Sequence, residues 1–157
     1  MRKRIVGKDT PNVSASSQDW LNLEALAQVE VTSEDALHPI ESALLLGREE
    51  GWEAAQSGSQ TVRLLFDRPQ RIRRVHLEFQ EHQLQRTQQF ALRWSSNGGE
   101  TYREIVRQQY NFSPPDTISE REEYTVDLDG VAALELNIVP DISGGAARAS
   151  LAQLRLA

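Results

Sequence analysis

The chain has 157 residues, 39% of them hydrophobic and 25% charged, with a formal net charge of −6 and no cysteine. That length suits one domain with a self-sufficient core. The missing thiols exclude disulfides, zinc–thiolate sites and a cysteine nucleophile. The charge is uneven. Arg2, Lys3, Arg4 and Lys8 open the chain with no acid among them, leaving 13 basic against 23 acidic residues in the rest. An acidic body argues against nucleic acid as a partner, because phosphate binding needs a basic patch. No apolar run follows the basic opening, as a secretory signal requires, and no stretch reaches the ~20 apolar residues of a membrane span. The expected location is therefore cytoplasmic.

Residues 1–19 carry little periodicity and several Ser, Asn, Asp and Pro residues. They read as an N-terminal tail or strap, with the folded domain over 20–157. Its basic start could touch an anionic surface. Trp20, Leu21, Leu23 and Leu26 suit one helical turn or an extended lid on the core. Beyond them the dominant period is two. Ala27, Val29 and Val31 alternate with polar residues, as do Val62, Leu64 and Phe66, and then Val75, Leu77 and Phe79. Phe90, Leu92 and Trp94 follow, then Tyr124, Val126 and Leu128, then Leu134, Leu136 and Ile138, and finally Ala152, Leu154 and Leu156. Each set places its apolar members on one sheet face.

Ile72 is out of phase with Val75, and a bulge near Arg73 and Arg74 restores the register. Ser95-Ser96-Asn97-Gly98-Gly99 follows Trp94 and predicts a tight hairpin, with Asn-Gly supplying the positive φ angles and Gly99 a bulge. The pattern predicts an all-β protein: two packed antiparallel sheets of about eight short strands. The long connections fall at 33–59, 80–87, 107–121 and 140–148, where a sandwich normally carries its function.

Four stretches resemble the discoidin, or coagulation-factor type C, family. TVRLLFDRPQRIRRVHLEF is similar to its strand, acid-Pro, strand pattern. FALRWSSNGGETYREI is similar to its strand and Gly-Gly hairpin with a following aromatic. VAALELNIVPDISGGAARASLAQLRLA resembles its closing strands, and GWEAA at 51–55 its early Trp loop. The likeness runs from about residue 27 to the end. It implies a galactose-binding-like jelly-roll β-sandwich that binds sugars, lipid head groups, proteins or nucleic acid through loops at one end, without catalysis. It also implies a sugar-binding role for Arg86. Many members hold a structural calcium through a Glu near the C-terminus. The matching residue here is Gln153, a neutral ligand, so any calcium site is expected to be weak.

The loops supply the candidates. In the first, His38, Glu41, Arg48 and Glu49 could hydrogen-bond a ligand, while Trp52 either stacks on a sugar ring or caps the core. The second holds His82 and Arg86. The third holds Tyr110, Asn111 and Phe112 ahead of Pro114 and Pro115, which stiffen it. One of these rings either meets a ligand or packs under the loop. The last loop is small and glycine-rich, with Arg148 its only large polar group. His38, His76 and His82 show no metalloprotease spacing, and nucleophile-elbow, P-loop and dinucleotide motifs are all absent.

The expected function is noncatalytic carbohydrate binding through His38, Glu49, Trp52, Arg86, Tyr110 and Asn111, with no resident cofactor. The alternative is a cytoplasmic protein–protein interaction module of the same fold, for which a homodimer is one form.

Overall fold

The computed structural model describes residues 20–157, so the expected tail or strap at 1–19 lies outside the described residues. Two single-turn helices, α1 (Leu23–Leu26) and α2 (Glu41–Leu44), accompany eight strands. The strands are β1 (Ala27–Val31), β2 (Trp52–Ser57), β3 (Gln60–Gln80), β4 (Arg86–Ser95), β5 (Arg103–Phe112), β6 (Ser119–Val139), β7 (Arg148–Leu151) and β8 (Gln153–Leu156). Every ladder is antiparallel.

β3 and β6 organise the rest. Each has 21 residues, and they pair twice. Val62 lies opposite Leu136 in one stretch and Leu77 opposite Glu122 in the other. Between them the register slips three times, from Leu65 to Arg74. Pro69 donates no N–H there, and Gly130 adopts a φ of +72°. Bent at this point, the ribbon folds over itself into two layers. One layer runs β1, first half of β3, second half of β6, β4, β5; the other runs β8, second half of β3, first half of β6. β2 and β7 form a short ladder beside the second layer, joined by the Ala152 N–H to the Glu78 carbonyl.

The expected bulge is present: the N–H groups of Arg73 and Arg74 both donate to the Ala157 carbonyl, at 2.6 and 2.9 Å. The rings of Phe79 and Phe90 meet between the layers at 5.2 Å, with Tyr110 and Phe112 packed edge-on beside them.

Other expectations need correction. The tight hairpin is a longer loop over 96–102. Gly98 and Gly99 supply the positive φ angles, and Asn97 does not. Its carboxamide instead accepts the Thr101 N–H, while the Ser95 hydroxyl accepts those of Asn97 and Gly99. Residues 52–57, taken as loop, form β2. The connection expected at 107–121 shrinks to 113–118. The strands on either side of it put Gln108, Glu120 and Glu122 where an apolar residue would continue the pattern. An edge position lets these groups keep water.

One side of the sandwich is closed by α1 and α2, where Leu23, Leu44 and Ile40, just ahead of α2, are buried. Buried Arg155 holds this cover in place. Its guanidinium donates to the carbonyls of Ala43 and Leu45, at 2.9 and 3.2 Å. The opposite side, between β5 and the first half of β6, is a seam of half-buried Trp94, Val106, Tyr124, Val126 and Leu128.

Gly51 fixes the end of the first loop. Its φ is +76°, and a Cβ there would lie 2.9 Å from the Leu151 carbonyl oxygen. Gly47 has a similar φ of +84° but open space around it. Gly47→Ala should cost only the left-handed penalty, about 1 kcal/mol. Gly51→Ala should cost distinctly more, because backbone must also move. Urea unfolding of the two variants checks the difference.

Candidate binding site at the loop end of the sandwich

The long connections converge on one end. The Asp35 N–H donates to the Glu53 carbonyl and the Glu53 N–H to the His38 carbonyl, seating the first loop on β2. The Glu81 N–H donates to Ile118 and the Ile142 N–H to Thr87, tying the other loops to their neighbours. A cleft of about 420 Å³ opens between residues 80–84, Glu53 of β2, and Ala146, Arg148 and Ser150. A smaller recess of about 160 Å³ continues it past Gln80, His82 and Ser150 to His38 and Glu50. A second cleft, of about 410 Å³, lies on the other side of the 81–87 segment, between Gln85, Thr87, Asn111, Asp141 and Ser143.

The first cleft is polar. His82, Gln80 and Arg148 are exposed, and Glu53 and Ser150 are half-buried. His38 is steered by Asp35, whose Oδ2 lies 2.9 Å from its Nδ1. That hydrogen bond holds the Asp35 carboxyl below its ordinary value. Leu84 supplies an apolar wall and is 49% exposed. Among the described residues, no three acidic or histidine side chains gather in a way that could hold a metal ion.

No protein-family model matches the chain, and a search of the curated proteins finds no match. Solved structures do match. The family 32 CBM of Clostridium perfringens NanJ, in complex with galactose, aligns over 87% of this chain and 96% of its own, with a TM-score of 0.62 and 12% identity. CpGH89CBM32-5 of the same organism, in complex with GalNAc-β-1,3-galactose, aligns over 88% and 99%, with a TM-score of 0.60 and 16% identity. Reduced XRCC1 bound to the DNA polymerase β catalytic domain aligns over 84% and 95%, with a TM-score of 0.61 and 15% identity. The fold is that of the galactose-binding-like domains. At these identities the likeness describes architecture, and the site must be read from its own residues.

Within this galactose-binding-like sandwich, only part of the expected site forms. Trp52 is 1% exposed, and its indole N–H donates to the Ser33 carbonyl at 3.0 Å. It caps the core and offers no face to a ligand. Tyr110 is mostly enclosed among Phe79, Phe90 and Phe112, and its hydroxyl accepts a 2.7 Å bond from Gln88. Burial pushes that hydroxyl far up from its ordinary value. Arg86 is 4% exposed and faces inward. Its guanidinium donates to Glu81 at 2.7 Å, Gln88 at 2.7 Å and the Pro140 carbonyl at 2.6 Å, and lies over the Phe112 ring. These three were expected to touch ligand; Trp52 and Arg86 are buried and hold loops, and Tyr110 is turned into the aromatic cluster.

Asn111 is exposed beside the second cleft and accepts the Thr87 hydroxyl. Glu49 is exposed but lines neither cleft nor the recess; its neighbour Glu50 lines the recess. Of the expected set, His38 and Trp52 border the recess of the continuous groove, and only His38 is accessible there. Glu53 and Gln80 fell within the expected connections but carried no signal that set them apart from other polar residues, and Ser150 lies just beyond the last connection, on β7. Arg148 was visible as the one large polar group of the last loop.

The Glu81–Arg86 clasp shapes the groove. Burial works against ionised Glu81, but the N–H groups of Gln83 and Leu84, at 2.9 and 3.0 Å, and the Arg86 guanidinium outweigh it. Its carboxyl is therefore held below the ordinary carboxylate value. The clasp contributes its full stability above the unfolded-state pKa of Glu, near 4.5, and loses it as pH falls through the lower folded value. The Gln83 and Leu84 amides should exchange slowly at neutral pH and lose protection at acid pH. Glu81→Gln should weaken that protection already at pH 7, as amide exchange would show.

Proposed function

We propose that the chain is a noncatalytic carbohydrate-binding module whose site is the polar groove from His38 to Arg148. One observation carries this reading. Among the described residues, the side chains of His82, Arg148 and Glu53 line the groove at an open loop end without a side-chain hydrogen bond to protein, while inward-facing Arg86 beside them is engaged with Glu81, Gln88 and Pro140. The cleft is within the size range of small-ligand sites. Two proteins of this architecture bear names that record bound galactose or a galactose-containing disaccharide, which supports the ligand class.

No exposed aromatic ring lines the groove, so stacking contributes little. Leu84 and Ala146 would cover the C–H face of a sugar, and hydrogen bonds from Arg148, His82 and the carboxylates would select its hydroxyls. Catalysis does not fit. Glu81, which lines the cleft, is held by two N–H groups and Arg86, so it is committed to loop structure rather than poised opposite a second carboxylate.

A protein partner at the same loops is the second reading. It is favoured by Leu37, 81% exposed, with Leu84 and Ile142 about half exposed on neighbouring loops. The XRCC1 structure, named as bound to a protein, supports the same use of the fold.

A glycan array followed by calorimetry separates these readings. The chain should bind a glycan, and Arg148→Ala should weaken it about tenfold, as the loss of one charge-assisted hydrogen bond implies. His82→Ala should weaken it less, and Asn111→Ala, on the other cleft, should leave it unchanged. Failure to bind any glycan overturns the carbohydrate reading. Binding indifferent to Arg148 and His82 overturns the site.

A further inference from the structure

The side of the sandwich away from α1 and α2 carries two unfinished sheet edges. β5 pairs only with β4, and residues Ser119–Leu128 of β6 pair only with β3. Among the described residues, each edge presents a row of backbone N–H and C=O groups without a ladder partner. Such edges are templates for an added strand. Between them runs the seam of half-buried Trp94, Val106, Tyr124, Val126 and Leu128.

The two edges differ in charge. On its outer face the β6 edge carries exposed Glu123 and Asp127, met from β3 by His76 and Arg71. On its outer face β5 carries Arg107, opposite Ala91 of β4. Among the described residues its ion-pair partner is Glu104 of its own strand, at 2.9 Å, with both side chains about half exposed. β6 laid beside β6 would set acid against acid. β5 laid beside β6 sets Arg107 against the acids.

The seam also has matching direction and level. The short connection 113–118 makes β5 and the first half of β6 run oppositely across it. Tyr124 lies beside Gln108, and Tyr110 beside Glu120 and Glu122. A half-turn rotation about an axis along the seam exchanges the two layers and keeps each residue at its level. β5 of one copy then lies antiparallel to β6 of the other. Gln108 comes level with Tyr124, so Arg107 comes level with Thr125, between Glu123 and Asp127.

We propose that this side joins two copies of the chain in a symmetric dimer, with β5 of each copy pairing the first half of β6 of the other. The arrangement is closed, because both free edges of each seam are used. It covers Val106, Tyr124, Val126 and Leu128, and it gives each Arg107 two acids of the other copy.

The rotation also brings the inner-face Glu120 and Glu122 of the two copies together near the axis. Within one copy these side chains face Phe79 and Leu77 of β3, Tyr110 of β5 and Tyr124 of their own strand. Neither has a cationic partner among the described residues. They share a hydrogen bond, which together with burial pushes Glu120 up to about 7. A second pair of carboxylates nearby disfavours ionisation further, so association takes up protons. The dimer is therefore favoured as pH falls through about 7 and opposed above it.

Size exclusion with light scattering, over a dilution series, tests this. The full chain should have twice the mass of one copy at about pH 6 and fall toward a single copy at about pH 8. Glu120→Gln with Glu122→Gln should keep the dimer at both. Arg107→Glu should raise the dissociation constant at about pH 6 by about tenfold. Circular dichroism should show each variant folded, since none of the substituted side chains is in the core. A chain that stays a single copy at both pH values overturns the proposal. So does a dimer indifferent to Arg107→Glu. A double-glutamine variant that still dissociates at about pH 8 overturns the role given to the two glutamates.

Discussion

The architecture depends on one antiparallel pair that is too long to stay flat. β3 and β6, each 21 residues long, hold each other in two stretches, and the region around Pro69 and Gly130 between them lets both strands turn together. A twisted ribbon of that length buries little by itself. Bent double, it brings its two inner faces together, so Leu64 and Leu136 face the same interior as Leu77 and Phe79. The remaining strands attach to edges the bend has already set. The loop end is defined by the same event, because the start of β3 and the end of β3 come to lie at one end of the molecule.

Several polar or amphipathic side chains that chemistry would assign to a ligand work inside the protein instead. Trp52 closes the core and holds the first loop through Ser33. Arg155 ties that loop to β8 through two carbonyls, and Arg86 joins the second and last loops through Glu81 and Pro140. Leaving a buried guanidinium without acceptors is costly, so each of these contacts narrows the positions its loop can take. The recognition surface is made by plainer residues such as Gln80, Glu53 and Arg148, held in place by this interior set.

The outer face of the first layer shows the same economy. Glu135 is 4% exposed at the centre of that face and sits between Arg63 and Arg93, with Glu30 beyond Arg63. Burial disfavours its charged form, yet the two guanidinium groups hold its carboxyl below the ordinary value. The network links β1, β3, β6 and β4 across the sheet. Its charges cancel, which marks it as structural rather than as a surface for an ionic partner.

The period-two pattern was enough to place β1, β4, β8 and the inner faces of β3 and β6, because alternation and burial are the same fact where one sheet face is dry. The bulge at Arg73 was legible for that reason: a slip of one residue would have turned Ile72 outward. β2 and β5 were obscured, the first because its inward alternation stops at Ala54 and the rest of the strand is exposed, the second by Gln108 on its inner face. At the site, residue type suggested which side chains could bind a ligand, and His38 is one that the fold delivers. Whether Trp52, Tyr110 and Arg86 point toward solvent or core was decided only by the packing of the two layers. Sequence records the chemistry a side chain carries. Which direction it faces depends on partners far along the chain, and those meet only once the sheet has bent.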